Sequence, residues 1–294
     1  MYPAPGWVCD LVFRGPDEVL LATLFGVHRL DLLNGTLRPV ASEERIWGLT
    51  VAGDAIRFVT PGHAHHVHGE RSALSILPRD SYSAAAFSAD GTLLALAGGH
   101  TDRDAGGVVH WLALHHADTG RHVRTLYREL DRRGAQVLRF DPSGDRLYEC
   151  TSNDVFVWPR DSGEPRALGL SHAAVGAAAF HPDGRRVATC DYNDGQLKVA
   201  DLESGRVLSA CDHPHRETVA IEWVSDETLL VSSAREVWAY DRTKGPSHRV
   251  LTAGSEVTVI APRPGTGTFL VATRSTEILE CTAARAEGSV GVVR

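Results

Sequence analysis

Lysine is almost missing from this 294-residue chain, occurring only at positions 198 and 244, so nearly every other cation is arginine. Methionine stands only at position 1. This bias, with abundant Ala, Gly and Val, matches a GC-rich bacterial genome and speaks to source, not activity. Basic excess is missing too: the formal net charge is −7 and the pI is near 6.1. A general nucleic-acid binder carries the opposite balance, so that class is set aside. No apolar run approaches the ~20 residues of a membrane helix. The opening MYPAPGWVCD lacks a basic region followed by an apolar stretch. These absences predict a cytoplasmic chain with no membrane role.

Cysteine is sparse and scattered, at Cys9, Cys150, Cys190, Cys211 and Cys281. No Cys-x-x-Cys pair exists, so a cysteine-based structural zinc site is excluded and reduced thiols are expected. Phosphate loops, Gly-x-Ser-x-Gly elbows and His-Glu-x-x-His helices are all absent. No catalytic residue and no cofactor is therefore assigned. Long segments of 3.6-residue periodicity are lacking as well. The nearest, RTLYRELDRRG (124–134), reads as a short helix or as an outer strand plus loop.

What is present is repetition. Turns closing on Gly35, Gly120, Gly163, Gly205 and Gly245 recur at roughly forty residues, with one double interval. Between them an aromatic residue ends one strand and a tight turn starts the next: FSADG from Phe87, FDPSG from Phe140, FHPDG from Phe180, WVSDE from Trp223 and, altered, FRGPDE from Phe13. The tenth position after each aromatic is small: Thr23, Ala97, Cys150, Cys190 and Ser233. Cys150 and Cys190 are thus equivalent sites, read as buried packing thiols. The period divides the chain into units at 6–44, 45–81, 82–130, 131–172, 173–215, 216–254 and 255–294, each of up to four strands, a to d. This predicts one all-β domain, a seven-bladed β-propeller of four-stranded antiparallel blades. Only five residues precede the first strand a, so SVGVVR (289–294) is expected to supply the last outer strand, without a shared-strand latch.

Residues 173–205 resemble a WD-repeat blade. The hairpin is Phe180-His181-Pro182-Asp183-Gly184, the Asp-Gly before strand c is Asp194-Gly195, and strand c with its turn runs Leu197 to Asp201, then Ser204-Gly205. The signature Trp-Asp is Ala200-Asp201 here, Trp158-Pro159 in the fourth unit and Tyr240-Asp241 in the sixth. The family's Asp, His, Ser/Thr, Trp tetrad is therefore incomplete. His172 and His215 precede strand a, where the family places a structural loop histidine. Asp201 and Asp241 read as strand-end turn residues.

A propeller sends its b–c and d–a loops to one face. There this sequence places Glu44, Arg45, Trp47, Arg79, Tyr82, Arg132, Arg133, Tyr192, His215, Arg216 and Arg235. Aromatic and arginine side chains anchor protein interfaces. The resemblance implies a non-enzymatic scaffold, and this face is expected to dock a protein or peptide. The competing expectation is a metal-binding or enzymatic propeller. PGHAHHVHGE (61–70) would place His63 and His65 at the top loop of the second blade, and His66 and His68 inside strand c. The neighbouring insertion GGHTDRDAGG brings His100 and Asp102 to the same rim, a set that suits zinc, copper or nickel. The plainer reading is polar loop residues, with His66 or His68 hydrogen-bonded between blades.

Overall fold

Short runs of Val, Leu and Ala broken by Gly and Asp turns give only strands. The computed structural model describes the chain except residues 43–45, 47, 53–54, 61, 69–70, 78–80, 105, 131–133, 142, 162, 213–217, 243–244 and 283–294. The fold is a seven-bladed β-propeller, each blade a four-stranded antiparallel sheet, and no helix occurs among the described residues. The expected helix or strand at 124–134 is the outer strand His122–Leu130.

The blades fall into two compact units, Met1–Glu44 with His172–Arg294, and Arg45–Ser171. In the first unit, blade 1 holds strands Val8–Phe13, Glu18–Thr23, Gly26–Asp31 and Leu37–Ala41. Blade 5 holds Val175–Phe180, Arg186–Asp191, Gln196–Asp201 and Val207–Asp212. Blade 6 holds Thr218–Trp223, Thr228–Ser233, Glu236–Asp241 and Gly245–Thr252. Blade 7 holds Val257–Pro262, Thr268–Thr273, Glu277–Thr282 and, as its outer strand, Tyr2–Pro3.

That last assignment corrects an expectation. Tyr2 pairs with Ile278 and Pro3 with Glu277, and the Ala4 amide donates to Thr276 O at 2.8 Å. The few residues before blade 1 therefore latch blade 7, while 289–294 lie outside the described residues. Two residues suffice because the Tyr2 hydroxyl also donates to Leu32 O of blade 1 at 2.9 Å, tying both blades to one side chain.

In the second unit, blade 2 holds Gly48–Ala52, Ala55–Thr60, His63–His68 and Arg71–Ile76. Blade 3 holds Ser81–Phe87, Leu93–Asp102, Gly107–His116 and His122–Leu130. Blade 4 holds Val137–Phe140, Arg146–Cys150, Val155–Pro159 and Arg166–Ala167. Strands b and c of blade 3 are longer than their counterparts, 10 residues each.

Side chains alternate along each strand, so every blade offers apolar residues to both neighbours. Strand b carries the densest burial: Val19 to Thr23, Leu229 to Ser232 and Phe269 to Thr273 are all inaccessible. The small positions close these strands inside the fold, with Thr23, Ala97, Cys150, Cys190 and Ser233 all buried. Cys150 and Cys190 are free thiols, and burial pushes each up to about 12, so both stay protonated near neutral pH.

Arginines add polar ties between blades on the side of the a–b turns. Arg263 of blade 7 donates to Pro16 O at 2.5 Å and to Asp17 of blade 1, and to Glu280 of its own blade. Arg186 of blade 5 donates to Asp226 O of blade 6 at 2.7 Å while its guanidinium lies 5.4 Å over Trp223. In the second unit, Arg160 of blade 4 lies 3.8 Å from Asp90 of blade 3.

Deleting Met1–Pro3 removes the outer strand of blade 7. Amide exchange across Glu277–Thr282 should then accelerate while that of Val187–Cys190 in blade 5 stays unchanged, as read by hydrogen–deuterium exchange.

Candidate partner-binding surface

The b–c turns and d–a loops of the first unit carry its largest exposed apolar side chains. The turn of blade 1 is Thr23-Leu24-Phe25-Gly26. Its shape is set locally: the Phe25 amide donates to Thr23 Oγ1 at 3.1 Å and that hydroxyl donates to Gly26 O at 3.0 Å. Gly26 has φ of +135°, and a Cβ there would stand 2.1 Å from Ala41 O, so no other residue fits. Leu24 and Phe25 are consequently turned outward, 40% and 63% exposed. Trp7, on the loop from blade 7 to blade 1, is 41% exposed, and its carbonyl accepts from the Leu24 amide at 3.3 Å. A Cβ on Gly6 would lie 2.7 Å from the Phe25 ring, so glycine is what lets that ring lie against the loop.

Blade 7 completes the patch. The Arg274 guanidinium sits 5.2 Å over the Trp7 ring and donates to Glu256 at 2.6 Å. Its turn is held by the Ser275 amide donating to Ser255 Oγ at 2.9 Å and by the Arg274 amide donating to Glu256 O at 2.7 Å. A cation over an indole at this range is attractive by about 0.5–1 kcal/mol at an exposed site. The patch is thus two aromatic rings and a leucine, edged by one arginine and one carboxylate, on turns fixed by backbone bonds.

Blades 5 and 6 present Tyr192 and Arg235, both exposed, on their own b–c turns. Tyr192 is held by its amide donating to Ala174 O at 2.6 Å. Beneath it Asp191 accepts from the amides of Ala173 and Ala174 at 2.7 and 3.0 Å and of Asn193 at 2.8 Å. His172 is hydrogen-bonded through Nε2 to Thr189 Oγ1 at 2.8 Å. Asp191, His172 and Thr189 are thus grouped beneath the turn, in an arrangement similar to three members of the WD-repeat tetrad, and Ala200 of strand c is buried. Burial raises the Asp191 carboxyl, but the backbone donors outweigh it and hold the group below the usual aspartate value.

Of the residues assigned from sequence, Tyr192 and Arg235 lie on this rim. Glu44, Arg45, Trp47, Arg79, Arg132, Arg133, His215 and Arg216 lie outside the described residues. Tyr82 does not present its ring to solvent: strand a of blade 3 buries it edge-on against Trp111, with ring centroids 6.0 Å apart. The sequence reading put Tyr82 in a top loop, but it belongs to strand Ser81–Phe87, whose alternation turns it inward.

The histidine run is corrected too. All four imidazoles belong to strand c of blade 2. Alternation puts His63 and His65 on one face and His66 and His68 on the other. His65 is buried, stacked 4.4 Å from Phe58 and hydrogen-bonded to Thr60 at 2.8 Å. His66 Nε2 bonds Ala117 O of blade 3 at 2.8 Å, the expected link between blades. His100 meets Arg128, and an Asp102 carboxylate oxygen accepts from the Asp104 amide at 3.0 Å. Among the described residues no three His, Cys, Asp or Glu side chains converge as metal ligands.

Trp7, Leu24 and Phe25 were not among the residues assigned from sequence. The available signal was two large apolar residues directly before the turn glycine, where blade 5 has Tyr-Asn-Asp-Gly. Glu149, fully buried in strand b of blade 4, was not assigned either. That carboxylate accepts from Tyr127 of blade 3 at 2.7 Å and from the Trp158 indole at 2.8 Å.

Asp191 gives a pH prediction. The unfolded carboxyl titrates near 4, the folded one lower, so its contribution is complete above about pH 4 and is lost as pH falls through the folded value. Asp191→Asn should lower stability near neutrality by about 1–3 kcal/mol and flatten the loss seen on acidification, measured by urea unfolding across pH.

The model described as WD domain, G-beta repeat, matches residues 166–201. No curated protein matches the chain. Among solved structures, one from the "Crystal Structure of Mitotic Checkpoint Complex" superposes with TM-score 0.75 at 14% identity, covering 96% of this chain and 90% of that one. In all, 1565 solved chains match, so the fold alone selects no activity. The repeat match, which spans the end of blade 4 and most of blade 5, and the seven four-stranded sheets together support a WD-repeat propeller fold.

Proposed function

We propose that the chain is a non-enzymatic interaction module that docks a protein or peptide on the b–c and d–a loops of blades 7, 1, 5 and 6. The observation that carries this reading is the Trp7, Leu24 and Phe25 patch beside Arg274. Three large apolar side chains stand in water on turns whose backbone is already fixed. Burying them against a partner is favourable at ~25 cal/mol per Å2 of apolar surface, and little ordering entropy is lost because the turns are preformed. Aromatic rings flanked by arginine are the residue types in which binding energy concentrates. Tyr192 and Arg235 extend the surface around the unit. The free cysteines support an intracellular, reducing setting for this activity.

The test is co-purification from the native cell with quantitative mass spectrometry. A partner held by the wild-type chain should be lost, by about tenfold or more, from Trp7→Ala with Phe25→Ala. Thermal unfolding should stay within a few degrees, because both side chains are solvated in the free protein. Equal recovery by the double variant would overturn the proposal.

A further inference from the structure

The residues before blade 1 form a strap strung between two anchors. At one end Tyr2 and Pro3 pair with Ile278 and Glu277 of blade 7, and the Ala4 amide donates to Thr276 O at 2.8 Å. At the other end the Trp7 carbonyl accepts from the Leu24 amide at 3.3 Å, and Val8 enters strand a of blade 1 opposite Thr23. Only Pro5 and Gly6 separate the anchors. Proline at positions 3 and 5 restricts the released strap, so seating it costs less chain entropy. Gly6 is buried, and the Phe25 ring lies against it. The floor of the apolar patch is therefore part of the strap, not of either blade.

One turn of blade 7, Arg274-Ser275-Thr276, holds both the seated strand and the patch. Arg274 covers the Trp7 ring at 5.2 Å, and Thr276 supplies the carbonyl that takes the Ala4 amide. Thr276 has φ of +67°, in the left-handed region, where a β-branched residue is strained. Its amide donates to Thr273 O at 3.1 Å and the Glu277 amide donates to Thr273 Oγ1 at 3.4 Å, which keep it there. Strain of this kind collects at clamps and switches. The seated strand is only two residues long, so few bonds decide between a seated and a released strap. They are its pairing, the Ala4 amide to Thr276 O, and the Tyr2 hydroxyl to Leu32 O.

We propose that the strap is a switch for the docking patch. With Tyr2, Pro3 and Ala4 seated on blade 7, Gly6 lies beneath Phe25 and the Trp7 ring lies beneath Arg274, so the patch is assembled. With the strap released, Gly6 leaves Phe25 and the Trp7 ring leaves Arg274, while the packed strands stay in place. By linkage, a partner that binds only the assembled patch also holds the strap seated. The docking half of this inference rests on the function proposed above, and the coupling of strap to patch does not.

Two measurements separate these halves. In the free chain, two-dimensional NMR follows the Trp7 indole N–H, assigned by its loss in Trp7→Phe, and the Arg274 Nε–H, which the indole ring current shifts upfield. Deleting Met1–Pro3 should bring both signals to the positions of unstacked side chains and leave the Trp223 and Trp238 indole signals of blade 6 unmoved. If the deletion disturbs blade 6, Ala4→Pro is read instead, because it removes only the amide donated to Thr276 O. In the second measurement, a partner recovered by co-purification should be held about tenfold less by the deletion variant, although Trp7, Leu24 and Phe25 are all retained. Unmoved Trp7 and Arg274 signals would overturn the switch whether or not a partner is found. Full recovery by the deletion variant, alongside loss from Trp7→Ala with Phe25→Ala, would also overturn it and leave the docking patch standing.

Discussion

Each blade is a thin sheet with two apolar faces, and neither face can be left in water. That constraint shapes the molecule more than any single bond. Within each unit the sheets solve it by packing on one another. Val19, Leu21 and Leu30 of blade 1 meet Leu270, Ala272 and Ile278 of blade 7. Phe269 and Val271 of blade 7 meet Leu230, Val237 and Ala239 of blade 6. Ala95, Leu112 and Leu114 of blade 3 meet Leu138, Phe140 and Leu147 of blade 4. Burial is non-directional, so it fixes that sheets pack but not how they are aligned. Alignment comes from directional contacts at the edges: the Arg263 and Arg186 ties, and Glu149 joining Tyr127 to Trp158.

The same division of labour explains where function resides. Strands are occupied by packing on both faces and have nothing to offer a partner. Turns between strands b and c carry no packing duty and tolerate any residue their backbone allows. Blade 5 uses Asp191 and His172 to brace its turn. Blade 1 uses Thr23 and Gly26, and the braced turn displays Leu24 and Phe25. Blade 3 instead extends strands b and c themselves, to Leu93–Asp102 and Gly107–His116.

The repeat was legible because packing repeats. An aromatic residue, a turn and a small residue ten positions on are local demands that every blade makes, and the strands followed from them. The outer strand of blade 7 was not legible. Tyr2-Pro3 is two residues long, and the pairing that defines it bridges nearly the whole chain, so no local pattern announces it. Tyr82 and His65 misled for a related reason. Residue type suggested a surface role, but strand alternation turned both inward. Glu149 was hidden because a buried carboxylate is tolerable only when donors from two blades converge on it, a tertiary fact. Trp7 and Phe25 were visible as residues and invisible as a patch, since Gly6 and the Arg274 turn that assemble them lie far apart in sequence.

The account makes the blade 1 turn a contact point and the opposite end of the same blade mere surface. Both ends expose apolar side chains, Phe25 at 63% and Leu33 at 78%, so exposure alone does not distinguish them. Placing a photo-reactive phenylalanine analogue at position 25 or at position 33 and irradiating intact cells separates the two. The account predicts a discrete covalent adduct from position 25 and none from position 33. An adduct from 33 alone, or from neither position, would contradict it.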